Sequence, residues 1–259
     1  MITPACKRGK KNRVQFFIMW IYLSPHLDDV ALSVGGLLWE QAQTGERVAI
    51  WTICAGDPPA GTFSPFAEAL HTRWGTENAH PVRRAEDAAA CQRLGAAYRH
   101  FPIPDCIYRR SPVNGEHLYA SEAALWGPVH PDEAELANEI ASMLKRELPA
   151  QVHLVSPLGL GNHVDHRLTR LAAEKLGLPL LYYADYPYVL PAGNRQMLGN
   201  LSSMFTPLSP DGLRAWQDAV AAHQSQISTF WKSLAEMREA IREYSQQIGG
   251  VRLYSVKAQ

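Results

Sequence analysis

Hydrophobic positions fall into two kinds of run along this chain. The stretches "QFFIMWIYL" (15–23) and "RVAIWTICAG" (47–56) are nearly continuous in apolar residues, the pattern of strands covered on both faces. Between them, from Val30 to about Gln43, apolar positions recur at helical spacing and stop before Gly45. The same alternation continues. "PVRRAEDAAACQRLG" (81–95) predicts an alanine-rich helix, "AYRHFPI" (97–103) a third strand, and residues 131–148 a helix. "QVHLVSPLG" (151–159) predicts a fourth strand, "HRLTRLAAEKLG" (166–177) a helix, and "PLLYYADYP" (179–187) a fifth strand. Residues 211–247 read as mostly helical, with Trp216, Phe230 and Trp231 as apolar anchors.

Strands alternating with helices predict an α/β fold with a mainly parallel sheet. The first strand is expected over Val14–Leu23, with residues 1–13 as a disordered extension and 14–259 as a single domain. Residues 104–130 have no clear period and are rich in aromatics, Pro and Gly. They predict a long insertion of the kind that is often functional inside a compact domain. The basic-then-apolar N-terminus imitates a signal peptide, but its apolar part is short, lacks a small-residue cleavage site and runs straight into His26. No stretch approaches the ~20 apolar residues of a membrane span.

Charge and cysteine content narrow the partners. Lys+Arg and Asp+Glu both total 25, so nothing in the net charge argues for nucleic acid or an anionic membrane. The four cysteines, Cys6, Cys54, Cys91 and Cys106, form no CxxC pair. They are expected to be reduced thiols in a cytoplasmic protein.

Two polar clusters stand out against this frame. His26, Asp28 and Asp29 follow the first strand in "SPHLDD", and His163, Asp165 and His166 follow the fourth in "GNHVDHR". In an open α/β sheet, ligands bind beyond the carboxyl ends of the strands, where strand order reverses. A strand order of 3-2-1-4-5 would make strands one and four neighbours and bring the clusters together. Two histidines with a carboxylate are then the donor set of a catalytic metal with an open position, suited to hydrolysis of an amide or ester. The bland reading is that Asp28 and Asp29 only cap a helix, and for either cluster alone it would be preferred. Two clusters at adjacent strand ends favour a site.

The motifs "PHLDD" and "HVDHR" resemble those of the LmbE/PIG-L-like deacetylases, whose usual signatures are HPDDE and HPDH. "RRAEDAAACQRLG", "FPIPD" and "AHQSQ" extend the resemblance over most of the chain. It implies a Rossmann-like three-layer sandwich and a zinc-dependent hydrolase that removes the N-acetyl group from an N-acetylglucosaminyl-type sugar or glycoconjugate. By position, it implies His26, Asp29 and His166 as ligands of Zn2+, or of another divalent metal such as Fe2+. It implies Asp28 as general base and a protonated His163 as the group that stabilises the oxyanion or serves the leaving amine. Arg83 and Asp105 fall at substrate-contacting positions. Leu27, Val30 and Val164 replace usual motif residues that are not ligands. The partner expected is a small-molecule or glycoconjugate substrate, with homo-oligomerisation left open.

Other features compete with this reading. "GPVHPDEAEL" (127–136) looks like HPDDE, but Pro131, Asp132 and Glu133 read as a helix start. Gly35 and Gly36 lie within a helical pattern and suggest close packing of that helix on the sheet, not a phosphate loop. His153 reads as a core or sheet-face residue, and His223 has no catalytic assignment. Tyr119 and Trp126 would either stack on a sugar or pin the insertion. Two alternatives stay open: a metal-dependent phosphoesterase, which would need further bridging carboxylates, and a metal- or sugar-binding module without turnover.

Overall fold

The computed structural model describes residues 18–75 and 79–256. Its sheet has seven strands in the order β3-β2-β1-β4-β5-β7-β6. They are β1 (Met19–Ser24), β2 (Arg47–Thr52), β3 (Ala97–His100), β4 (Val152–Pro157), β5 (Leu180–Tyr183), β6 (Leu201–Thr206) and β7 (Val251–Val256). The first five are parallel, with Ile21 beside Ala49 on one side and Leu154 on the other. β7 runs antiparallel to both β5 and β6.

Alternation along β1 explains the layering. Tyr22 points into one core with α1 (Asp29–Gln43), α3 (Ala79–Leu94), α7 (Pro210–Ala222) and α9 (Leu234–Ile248). Ile21 and Leu23 point into the other, built with α4 (Leu136–Glu147) and α5 (Val164–Glu174). Burial on both faces is why the strand reads as a continuous apolar run. The expected strand order therefore holds, and β1 and β4 are neighbours.

Several boundaries differ from expectation. β1 starts at Met19; Ile18 lies outside the strand and is exposed, and residues 1–17, including Cys6, lie outside the described residues. β3 ends at His100, because Pro102, which has no N–H for the ladder, makes only an isolated bridge with Cys54. The predicted helix at 131–148 is a 3-10 turn (Pro131–Glu133) followed by α4. α2 (Pro65–Trp74), started by a Ser64 cap and stopped by Gly75 at positive φ, was not expected. The C-terminal region is three helices, α7, α8 (Gln224–Phe230) and α9, with α6 (Ala192–Leu198) before them and the unexpected strands β6 and β7 on either side.

Gly35 and Gly36 prove to be packing residues, but their partner is α7, not the sheet. A Cβ at Gly35 would lie 2.8 Å from Trp216 Cδ1, and Trp216 Nε1 donates to the Ala31 carbonyl at 2.7 Å. That contact seats α7 on α1. Among the described residues, no helix is long and apolar enough to cross a membrane.

Candidate metal centre and active site

The chain leaves β1 through Ser24 and enters α1 at Asp29, so the "SPHLDD" turn lies at the carboxyl edge of the sheet. The second cluster leaves β4 by a tight turn with Gly159, Asn162 and Gly161 at positive φ and enters α5 at Val164. Adjacent strands thus deliver the two clusters to one place. The ring centroids of His26, His163 and His166 lie 4.9–5.5 Å from one another.

Asp29 sits between two of these rings. Its Oδ2 is 3.2 Å from His26 Nδ1 and its Oδ1 is 3.3 Å from His166 Nε2. Oδ2 also accepts from the His26 backbone N–H at 2.8 Å. The far nitrogen of each ring meets a carboxylate: His166 Nδ1 lies 2.7 Å from Asp185 Oδ1, and His26 Nε2 lies 3.0 Å from Asp165 Oδ2. A carboxylate only accepts, so a neutral ring that donates to Asp185 or Asp165 carries its proton on the far nitrogen. A metal that displaces the second ring proton would then find the lone pairs facing Asp29. Atoms bound about 2.0–2.1 Å from one tetrahedral ion are about 3.3–3.4 Å apart, and the His26–Asp29 and Asp29–His166 contacts are each near that length, through different oxygens of Asp29. Ligating histidines held through their other nitrogen are the usual support of such a site. The residues present therefore fit a divalent metal.

Other groupings are less suited. His26, His163 and His166 bring ring nitrogens within 4.8 Å of one another. However, His163 Nδ1 accepts the Asp165 N–H at 3.2 Å, so the neutral ring carries its proton on Nε2 and has no free lone pair there. The groupings Cys106–His163–Asp165 and His26–Asp105–Asp165 both depend on Asp165. That carboxylate is already matched by Arg109, whose Nη1 donates to Oδ1 at 2.5 Å, and by the Cys106 N–H on Oδ2 at 3.0 Å.

Electrostatics separates the two neighbouring aspartates. Burial works against charge on Asp29, but His166 and His26 hold its carboxyl well below the usual range. Burial raises the Asp28 carboxyl, against the pull of Arg83, whose Nη2 lies 3.4 Å from Asp28 Oδ1. Asp28 occupies the N-cap of α1 yet makes no side-chain cap bond. The helix-capping reading thus fails for Asp28, while Asp29 lies in the first turn of α1 and accepts the His26 N–H. Burial, with His26 and His166 beside it, pushes His163 down to about 3. A neutral ring offering Nε2–H replaces the protonated one expected. His166 is buried too, yet Asp29 and Asp185 push it up to about 9.

His26, Asp28, Asp29 and His163 line a cavity of about 130 Å³ that also takes Arg83, Asp105 and, from α2, Trp74. Asp105 forms a turn and faces the cavity: Oδ1 accepts the Ile107 N–H at 3.2 Å, and Oδ2 lies 3.8 Å from both Arg83 Nη1 and His26 Nε2. Within the insertion, Trp126 lines the cavity with its ring 5.2 Å from that of His163, and it is 37% exposed. Tyr119 is buried and donates to Glu133, so it pins the loop. His130 caps the 3-10 turn at Pro131, and His153 stacks on Trp20 on the sheet, away from the site. Asp185, Arg109 and α2 were not foreseen. Asp185 follows β5 at the same sheet edge, so the strand-end rule that found the histidines also points to it.

The PIG-L family model, described as GlcNAc-PI de-N-acetylase, matches residues 21–176 and so spans both clusters. The chain belongs to this family. It is 31% identical over 219 residues to a 2'-N-acetylparomamine deacetylase of Niallia circulans, covering 73% of this chain and 76% of that protein. A 2'-N-acetylparomamine deacetylase of Streptomyces fradiae is 34% identical over 184 residues, covering 68% of this chain and 58% of that one. Among solved structures, a zinc-inhibited form of teicoplanin deacetylase matches with a TM-score of 0.75 and 30% identity, over 91% of this chain and 97% of that one. This PIG-L-family chain shares the α/β fold of that deacetylase, with the antiparallel β6–β7 pair at the end of its parallel strands.

Proposed function

We propose that this PIG-L-family protein is a metal-dependent hydrolase that removes the N-acetyl group from an N-acetylated amino sugar or a glycoconjugate carrying one. The observation that carries the reading is Asp29 standing between two histidines whose outer nitrogens are held by carboxylates, with Asp28 beside it and paired to Arg83. Its relatives deacetylate N-acetylparomamine and teicoplanin by name, which supports an amino-sugar substrate.

His26, Asp29 and His166 would hold the ion, zinc or another divalent metal such as iron(II). Such an ion, when bound, acidifies a water molecule and polarises a carbonyl. Asp28 takes the water's proton at its carboxylate. Arg83 favours the charged form that can do so, and burial makes the captured proton easy to keep. His163 donates Nε2–H to the acetyl oxygen as negative charge develops there, the role of a preorganised oxyanion donor. Asp28 then returns its proton to the departing amine, so acetate and a free amino sugar result. Arg83 and Asp105 contact the sugar from the cavity wall, and Trp126 offers its ring face to it.

The test is acetate release from N-acetylglucosaminides and N-acetylated aminoglycosides, compared before and after metal loading. Release that depends on added metal is expected. Full-rate release by metal-free protein would defeat the reading, as would phosphate-ester hydrolysis without deacetylation.

A further inference from the structure

We propose that Arg109 is a positioning residue for the metal centre, acting through Asp165 to set the ring of His26. Arg109 lies in the insertion, directly after the 3-10 turn Cys106–Tyr108. It is buried, and its guanidinium is gripped on several sides. Nε and Nη2 donate to the two oxygens of Glu133 at 2.5 and 3.2 Å, and Nη1 donates to the Pro104 carbonyl at 3.3 Å. Tyr119 OH donates to Glu133 Oε2 at 2.7 Å and accepts from the His130 N–H at 2.8 Å. A planar fork held this way has one orientation.

What that fork presents is Nη1, 2.5 Å from Asp165 Oδ1. The Cys106 N–H fixes the other oxygen at 3.0 Å, so the carboxylate plane cannot turn. Asp165 is fully buried, and no water-exposed rotamer competes. Its Oδ2 meets His26 Nε2, and that contact directs His26 Nδ1 toward Asp29. Arg109 also neutralises Asp165, which keeps that carboxylate from binding an ion itself. Two parts of the insertion, the Cys106 backbone and the Arg109 side chain, therefore orient a residue of the first motif through a residue of the second.

The inference rests on His26 being a ligand, as proposed above. Arg109→Lys keeps a buried cation but cannot span Glu133 and Asp165 as a fork. Metal affinity is to be measured by competition with a zinc chelator, alongside thermal melting and steady-state kinetics at saturating zinc. Zinc affinity is expected to fall about 10–100-fold in Arg109→Lys, the usual cost of losing an outer-shell partner. KM at saturating zinc should stay within about twofold of wild type. Glu133→Gln keeps one acceptor for the Arg109 fork, so it should lower the melting temperature and cost less zinc affinity than Arg109→Lys. A folded Arg109→Lys with wild-type zinc affinity overturns the proposal, as does a Glu133→Gln loss of equal size. Wild-type zinc affinity in His26→Ala would instead overturn the metal reading itself, and this proposal with it.

Discussion

His166 Nδ1 and Asp185 Oδ1 lie 2.7 Å apart, and both side chains are only 1% exposed. Asp185 also accepts the Leu160 N–H at 3.0 Å, so it ties the turn after β4 to the end of β5 while it orients the ring. Asp185→Asn keeps the shape but offers a weaker acceptor. Zinc affinity in this variant is expected to drop about 10–100-fold, measured by chelator competition, with little change in KM once zinc is saturating.

Asp28 makes no cap bond, and asparagine keeps an oxygen for Arg83, so this substitution should spare the fold. Asp28→Asn is expected to retain about one bound metal per chain by elemental analysis while kcat falls about 10²–10⁴-fold. A variant that keeps its turnover would remove Asp28 from the proton-transfer role.

Metal binding to the folded state alone also adds stability. Free metal at a hundred times its Kd contributes about 2.7 kcal/mol. Dialysis against a chelator should abolish acetate release and lower the melting temperature, and adding back one equivalent of metal should restore both. Calorimetry on the two forms reads the shift directly.

Trp126 lines the cavity, whereas Tyr119 is committed to Glu133. Trp126→Ala should raise KM for an N-acetyl sugar about tenfold with kcat nearly held, the signature of lost ground-state binding. Trp126→Phe should recover much of it. Equal kinetics in all three proteins would remove the stacking role.

Gly35 tests the packing rather than the chemistry. Its missing Cβ is space taken by Trp216 Cδ1 at 2.8 Å, and the indole is fully buried. Gly35→Ala should cost about 1–3 kcal/mol of stability in chemical denaturation, as overpacking does, with activity per folded molecule unchanged.

Much of the site is visible in the sequence because its parts sit at strand ends. The continuous apolar run of β1 marks it as central, and both clusters follow such runs, so topology alone joins His26 and Asp29 to His166. Asp185 follows the same rule but stands alone between tyrosines, without a second polar residue to draw attention to it. Arg109 and Glu133 are invisible for a different reason. Their pairing is made across a segment with no period, and nothing local in "IYRRSP" distinguishes the arginine that turns inward from Arg110, which reaches surface carbonyls. β6 and β7 were missed because "LSSMFT" is half-exposed and carries no alternation strong enough to outweigh its serines. The state of His163 was also out of reach, since burial beside His26 and His166 keeps it neutral and one backbone N–H at its Nδ1 sets the tautomer.

Trp126 and His163 form an isolated antiparallel bridge, and Gly127 N–H donates to the Asn162 carbonyl at 3.0 Å. The segment proposed to meet the sugar and the turn that carries the proposed oxyanion donor are stitched together by their own backbones. Shape changes in one are felt as displacement in the other. Grafting this insertion from a relative to alter what the enzyme accepts would therefore also re-aim His163, and altered selectivity and altered turnover should arrive together in such chimeras.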